Sequence, residues 1–285
     1  MTHDTILFLT DTHAGDHPPA WTQQPPRPDL LPAICAGVRG LVESCGIDLV
    51  VHGGDVTDHI DLAGALRFID DLDVPAAACL GNHDLMIHDA YDVWRGLAPE
   101  HLRLADAVVP LEHVDLVLLN CAWMHDGRAG LFWDGDFPVE ALTEAQAEWL
   151  DATLAATPGK PACLVVHAPL DPLPPRLTGL AEDAHVPDAD YAASLGRLLD
   201  HHPRVRLVLA GHSHVTCAAR RGGRVHLSTS SAIEAPFEVR LVRFGRDAIR
   251  VETVPAIPMP ADAAYDAQKA WVNGRPEDRT VEIRW

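Results

Sequence analysis

Short apolar runs recur along the chain, and most of them end in glycine or a polar residue. Thr5–Thr10, Asp48–His52 and Ala76–Leu80 read as buried strands, because a short aliphatic run bounded by turn residues fits a strand covered on both faces. Between them, residues 33–44 and 61–72 carry apolar side chains at helical spacing, and Gly46 stands where the first helix should stop. This strand–helix–strand rhythm predicts right-handed crossovers and neighbouring, mostly parallel strands. In the second half, strands are expected at Ala107–Val109, Leu116–Asn120, Ala162–Val166 and Val205–Ala210. Others are expected at 224–229, 237–244 and 248–254, with Gly245-Arg246-Asp247 as the last turn. Thr143-Glu144-Ala145-Gln146 is a capping-box pattern opening a helix through Leu154, and a further helix is expected at 191–200. Loops are expected at 14–32, 85–95, 122–137 and 168–190.

Composition narrows the class. The chain has 285 residues, 47% of them apolar, which suits one large or two small domains with a substantial core. Its 22 basic and 41 acidic side chains give a formal charge of −19, with no basic stripe, so no long nucleic acid is expected as a partner. Arg220, Arg221 and Arg224 form a short cluster expected to be solvated. Surface charge fades over about 8 Å at physiological salt, so a small anion can still be held by a local pair of cations. The six cysteines (Cys35, Cys45, Cys79, Cys121, Cys163 and Cys217) show no Cys-x-x-Cys spacing and read as reduced thiols. Neither a secretion signal nor a run of membrane-span length is visible, so a cytoplasmic protein without a membrane partner is expected.

The chemistry lies at the strand ends. Asp11-Thr12-His13, Gly54-Asp55, Gly81-Asn82-His83-Asp84, His167 and Gly211-His212-Ser213-His214 follow apolar runs in that order. They supply two strand-end carboxylates (Asp11 and Asp55), the amide of Asn82 and five imidazoles, enough oxygen and nitrogen donors for two adjacent metal ions. Asp-x-His and His-x-His place residues i and i+2 on one side of a strand end, and the glycines allow close backbone approach. Each piece alone has an ordinary explanation: Asp-x-His is common, and a lone histidine after a strand is usually a satisfied core residue. Five such pieces in order make coincidence a poor account.

The series resembles the calcineurin-like metallophosphoesterase superfamily, whose pattern is Asp-x-His, Gly-Asp, Gly-Asn-His-Asp/Glu, His and Gly-His-x-His. The resemblance covers residue 6 to about 214, with every ligand position filled. It implies a four-layer αββα sandwich of two mixed sheets flanked by helices. It implies a first metal held by Asp11, His13, Asp55 and His214, and a second by Asp55, Asn82, His167 and His212, with Asp55 and a water or hydroxide bridging. Mixed oxygen and imidazole ligation suits Mn, Fe, Zn, Co or Ni. Ions about 3.5–4 Å apart would activate the water and polarise a phosphoryl group. His83 would face the substrate and serve the leaving oxygen; Asn82 would share substrate contact, and Asp58 would orient His83. Asp58 as a simple helix cap remains the other reading. Asp84 is expected to bond backbone in its own turn.

The second motif reads Gly54-Asp55-Val56-Thr57-Asp58-His59-Ile60, without the arginine that protein phosphatases of the superfamily carry there. The chain is more similar to the bacterial branch of cyclic-nucleotide and glycerophosphodiester phosphodiesterases. It departs from that branch at His167-Ala168-Pro169-Leu170, where a second histidine and Pro-Pro are usual. The acidic surface favours a singly charged diester over a monoester. A small phosphodiester is therefore the expected substrate, with a phosphomonoester or oligonucleotide as alternative and a non-catalytic scaffold as the remaining reading. Trp21, Trp123 and Trp133 stand in the loops that would wall the pocket, where they could stack on a substrate group, though ordinary packing onto the body is the simpler account. His59 and His185 in the same loops read as surface residues. Residues 1–260 are expected to form the domain. Residues 261–285 are expected to be an extension packing on the body or on a second copy, so a homodimer is open.

Overall fold

The computed structural model describes residues 3–15, 21–58, 62–86, 89–98, 100–125, 128–131 and 139–285. β1 (Asp4–Leu9), β2 (Leu49–His52), β3 (Ala76–Ala78) and β4 (Leu102–Leu104) run parallel, each paired with the next. β5 (Ala107–Pro110) and β6 (Asp115–Leu118) open a second sheet as an antiparallel pair. β7 (Ala122–His125), β8 (Arg128–Gly130) and β9 (Glu140–Ala141) make a small third sheet. β10 (Ala162–Val165), β11 (Val205–Ala210), β12 (Cys217–Arg221) and β13 (Arg224–Ser228) complete the second, in the order β12-β13-β11-β10-β6-β5. β14 (Glu238–Phe244), β15 (Ala248–Pro255) and β16 (Thr280–Arg284) return to the first, whose order is β16-β15-β14-β1-β2-β3-β4.

The alternation of side chains along β1 builds the layers. Ile6 and Phe8 enter a core shared with Leu116, Leu118, Val165, Leu209 and Val242, which lies between the two large sheets. Leu7 and Leu9 point the other way, towards Ile34 and Val38 of α1 (Leu31–Cys45) and Phe68 and Ile69 of α2 (Leu62–Leu72). After α3 (Ala90–Leu97), α4 (Glu144–Ala156), α5 (Pro175–Thr178) and α6 (Ala189–His201) follow, and Leu150, Leu154, Leu195 and Leu199 cover the outer face of the second sheet with Val117, Leu164 and Val208. α7 (Pro276–Arg279) leads into β16. The architecture is the expected αββα sandwich of two mixed sheets.

Local signals place most elements. Gly46 ends α1 at φ 63°, where its N–H bonds the Val42 carbonyl. Thr143 and Gln146 form the capping box of α4. Other expectations change. Residues 90–97 form α3 rather than loop, because Ala90 and Trp94 bury one face and the Trp94 indole donates to the Asp84 carbonyl at 3.2 Å. The 217–221 strand β12 was not expected; it pairs antiparallel with β13 as the edge of the second sheet. Arg224 is not solvated: it is 5% exposed, donates to the Leu199 carbonyl and pairs with Asp200. All six cysteines are free thiols. No helix among the described residues is long and apolar enough to cross a membrane.

Candidate metal centre

The five motif loops leave the C-terminal ends of β1, β2, β3, β10 and β11 side by side. They are stitched backbone to backbone. Asp11 N–H donates to the Gly54 carbonyl at 3.0 Å, His13 N–H to the Asp55 carbonyl at 3.0 Å, and Gly211 N–H to the His167 carbonyl at 2.9 Å. Asp11, His13, Asp55, His212 and His214 all have φ between 42° and 64°, a left-handed conformation that is uncommon outside glycine and concentrates at functional sites. Gly81 permits a close approach, because a Cβ there would run into the Asp55 carboxylate.

All seven expected ligands meet around Asp55. On one side, His214 Nε2 lies 3.3 Å from Asp11 Oδ1 and 3.3 Å from His13 Nε2. On the other, His167 Nε2 lies 3.3 Å from Asp55 Oδ2, 3.3 Å from Asn82 Oδ1 and 3.2 Å from His212 Nδ1. Asp55 Oδ2 is also 3.9 Å from His13 Nε2, which sets it between the two groups. Asp11–His13–His214 and Asp55–His167–His212 each bring their donor atoms within 4.8 Å of one another.

The electrostatics fit cations there. Burial lowers the pKa of His13 to about 4 and, with His167 adding to it, that of His212 to about 3, so both rings keep a lone pair at neutral pH. Burial also opposes charge on His167 and His214. Asp55 outweighs it at the first and Asp11 with Glu234 at the second, raising them to about 9 and about 10. Burial alone would raise Asp11, but His214 holds it at about 2, and His167 and His83 hold Asp55 well below the carboxylate range. Nitrogen donors buried this close together beside two carboxylates repel or share protons awkwardly; a divalent ion in each group satisfies them at once. The residues present therefore fit a metal pair.

His83 stands at the edge of the group, its side chain 16% exposed, with Nδ1 2.5 Å from Asp58 Oδ1 and its ring 4.9 Å from that of His13. Asp58 thus meets His83; residues 59–61, where a helix cap would find its partners, lie outside the described residues. Asp84 does more than close its own turn: it accepts from Gly81 N–H and also from Val56 and Thr57 N–H, tying two motif loops together.

Sequence reasoning missed two carboxylates. Glu234, 2% exposed, lies with Oε1 2.5 Å from His214 Nδ1, while Oε2 accepts from the backbone N–H of Gln23 at 3.1 Å and Gln24 at 2.6 Å. Its only sequence signal is an acid inside the apolar run Ala232–Pro236. Glu140 Oε1 lies 3.9 Å from His212 Nε2, and nothing in its sequence surroundings marks it. Trp21 is 46% exposed, its ring 5.0 Å from His214 and 5.2 Å from His185. Trp123 is 1% exposed with its ring 5.9 Å from His212, so it packs beneath that ligand and presents no open face. Trp133 and His59 lie outside the described residues.

A cage of two carboxylates, an amide and four imidazoles at the strand ends of a two-sheet sandwich defines the metallophosphoesterase class of site. The sequence model of the calcineurin-like phosphoesterase family matches residues 4–216, and the chain belongs to that family. Membership implies a binuclear divalent metal centre. The fold is shared with a dimetal phosphatase from Danio rerio, at 14% identity over 99% of each chain and a TM-score of 0.69. It is shared with purple acid phosphatase PPD1 from yellow lupin seeds, at 13% identity over 99% of this chain and 54% of that one, TM-score 0.58. GAP50, the anchor in the inner membrane complex of Plasmodium, also has it, at 10% identity over 99% and 89% of the chains, TM-score 0.60. No curated protein sequence matches this chain.

Proposed function

We propose that the protein hydrolyses a small phosphodiester at this centre. The observation that carries the reading is the complete ligand set around Asp55, with the His83–Asp58 pair beside it. Asp11, His13, Asp55 and His214 would hold one metal, and Asp55, Asn82, His167 and His212 the other. Four imidazoles in the set favour Mn, Fe, Zn, Co or Ni over Mg or Ca. When bound, the metal pair supplies Lewis-acid polarisation of phosphoryl oxygen and activation of water.

The chain's own residues supply the rest. Asp58 accepts from Nδ1–H of His83 and, with Asp55, favours the imidazolium, whose Nε2 proton would go to the leaving oxygen. Asn82 positions its amide next to His167, where it can bond metal and substrate oxygen. The acidic surface penalises a doubly charged monoester more than a diester. Free thiols fit a reducing compartment such as the cytoplasm. The filled ligand set, rather than the sandwich itself, is what favours an enzyme.

Hydrolysis of bis(p-nitrophenyl) phosphate and p-nitrophenyl phosphate, measured across a panel of metals, tests this. The diester should turn over faster. A faster monoester overturns the diester assignment, and hydrolysis of neither by metal-loaded protein overturns the enzymatic reading.

A further inference from the structure

We propose that His52, which is outside the expected ligand set, is a positioning residue that locks the Asp11-Thr12-His13 turn to the Gly54-Asp55 turn and so sets both metal sites at once. This rests on the metal-centre reading above. His52 is the last residue of β2 and is 2% exposed, with its ring edge-on to Phe68 of α2 at 6.0 Å. Both ring nitrogens are engaged. Gly54 N–H donates to Nδ1 at 3.2 Å, and Nε2 lies 3.0 Å from Thr12 Oγ1. The Thr12 hydroxyl in turn donates to the Val56 carbonyl at 2.9 Å.

One arrangement of protons satisfies all three bonds. A backbone N–H can only donate, so Nδ1 accepts and carries no proton. The neutral ring then holds its proton on Nε2 and gives it to Oγ1, and the Thr12 proton goes to Val56. Burial keeps the ring neutral, lowering its pKa to about 3. The chain Gly54–His52–Thr12–Val56 therefore brackets Asp55 in sequence, with Thr12 standing between Asp11 and His13, which are left-handed at φ 55° and 42°. The same segment reaches the second site. The Gly53 carbonyl accepts from His167 Nδ1 at 2.9 Å, and a Cβ on Gly54 would come within 2.5 Å of that nitrogen. A shift of Gly54 thus moves Asp55 and His167 together. An aliphatic side chain, the ordinary end of a buried strand, would give Gly54 N–H no acceptor and Thr12 no donor.

The test reads Mn²⁺ affinity of the full chain by competition with a chromophoric chelator. Thr12→Val removes the hydroxyl at nearly constant shape, and Thr12→Ser keeps it. His52→Asn keeps an acceptor for Gly54 N–H but is too short to reach Thr12. Thr12→Val and His52→Asn should each weaken both sites about tenfold, and Thr12→Ser should stay near wild type. The double variant should lose no more than either single one, because both substitutions break the same chain of bonds. Leu150→Ala, under α4 on the outer face of the second sheet, controls for general destabilisation: it should lower Tm and leave both affinities unchanged. Imidazole nitrogen NMR shifts of the metal-free protein should report His52 as the Nε2–H tautomer. Native affinity in both Thr12→Val and His52→Asn, additive losses, an equal loss in Leu150→Ala, or a His52 ring protonated on Nδ1 overturns the inference. Wild-type protein that takes up no divalent ion overturns the metal-centre reading and this inference with it.

Discussion

Glu234→Gln separates two jobs that one carboxylate performs. In the native protein Oε1 accepts from Nδ1–H of His214, so a metal bound beside Asp11 and His13 would displace the Nε2 proton and take that lone pair while Nδ1 keeps its own. Oε2 meanwhile accepts two backbone donors, Gln23 N–H and Gln24 N–H, from residues 6% and 1% exposed. Glutamine has the same shape, so no cavity forms, but it offers one oxygen and one NH₂. If the oxygen stays with the backbone donors, the NH₂ faces His214 Nδ1, drives the proton to Nε2 and removes the ligand's lone pair. If the oxygen turns to His214, the NH₂ meets two buried N–H groups, each left unsatisfied at about 1–3 kcal/mol.

The first orientation strands no donor and should prevail. Losing such an outer partner typically lowers metal affinity about 10–100-fold, which is about 1.4–2.7 kcal/mol. Competition with a chromophoric chelator should show one of two metal sites weakened by that factor, with thermal unfolding little changed. The second orientation would instead spare metal binding, lower stability by about 2–6 kcal/mol and change the emission of Trp21, whose loop is released. A Glu234→Gln protein with native affinity at both sites, native stability and native Trp21 emission would refute the reasoning.

Four further outcomes are expected. Exhaustive chelation should abolish hydrolysis and Mn²⁺ should restore it; turnover that persists in metal-free protein contradicts the metal assignment. His83→Ala should lower kcat by about 10²–10⁴-fold while metal content, read by mass spectrometry, stays at the wild-type value. Gly81→Ala should displace Asp55 and His167, because a Cβ there meets both, and weaken both metal sites, since Asp55 would belong to each, measurable as lowered metal content. Asp115 is buried, which alone would raise its pKa, but bonds from Thr157, Lys160 and Arg204 hold it below the ordinary value. A depressed carboxylate stabilises the fold above its unfolded pKa of about 3.9 and loses that contribution as pH falls through the folded value. Asp115→Asn should therefore cost about 3 kcal/mol at pH 7 and show a shallower loss below pH 4 in urea unfolding.

The residues that gather around Asp55 were legible because each is announced by its own neighbours: an apolar run, in most cases a glycine, then a donor. Asp11, Asp55, Asn82, His167 and His212 all stand just beyond a strand that the pattern of apolar residues places within a residue or two. Asp58 was legible through its distance from Asp55 within one motif. Glu234 and Glu140 were not, because their partners are distant in sequence. Glu234 meets Gln23 across 211 positions, and Glu140 sits on a strand as short as Glu140–Ala141. β16 was hidden for a related reason. Val281 and Ile283 give only two inward positions, a period too brief to stand out without β15 beside it.

The spacing Asp11/His13 and His212/His214 brings each pair together for a reason beyond its place at a strand end. Residues i and i+2 share a side in an extended strand, yet β1 stops at Leu9 and β11 at Ala210, short of either pair. Asp11 and His13 converge because both are left-handed, at φ 55° and 42°, and His212 and His214 repeat this at 64° and 54°. Each left-handed non-glycine residue costs about 1 kcal/mol, so the conformation must be imposed from outside. The imposing bonds are visible: Asp11 N–H to Gly54, His13 N–H to Asp55, Ser231 Oγ to the Asp11 carbonyl at 2.7 Å, and Ser213 N–H to Gly211 at 2.7 Å. Each comes from a neighbouring strand end or from the same turn. The parallel strands therefore do more than deliver ligands to one end of the sandwich. By lying side by side they supply the backbone partners that hold those ligands in a conformation none would adopt alone, which is how five separate loops form one preorganised centre.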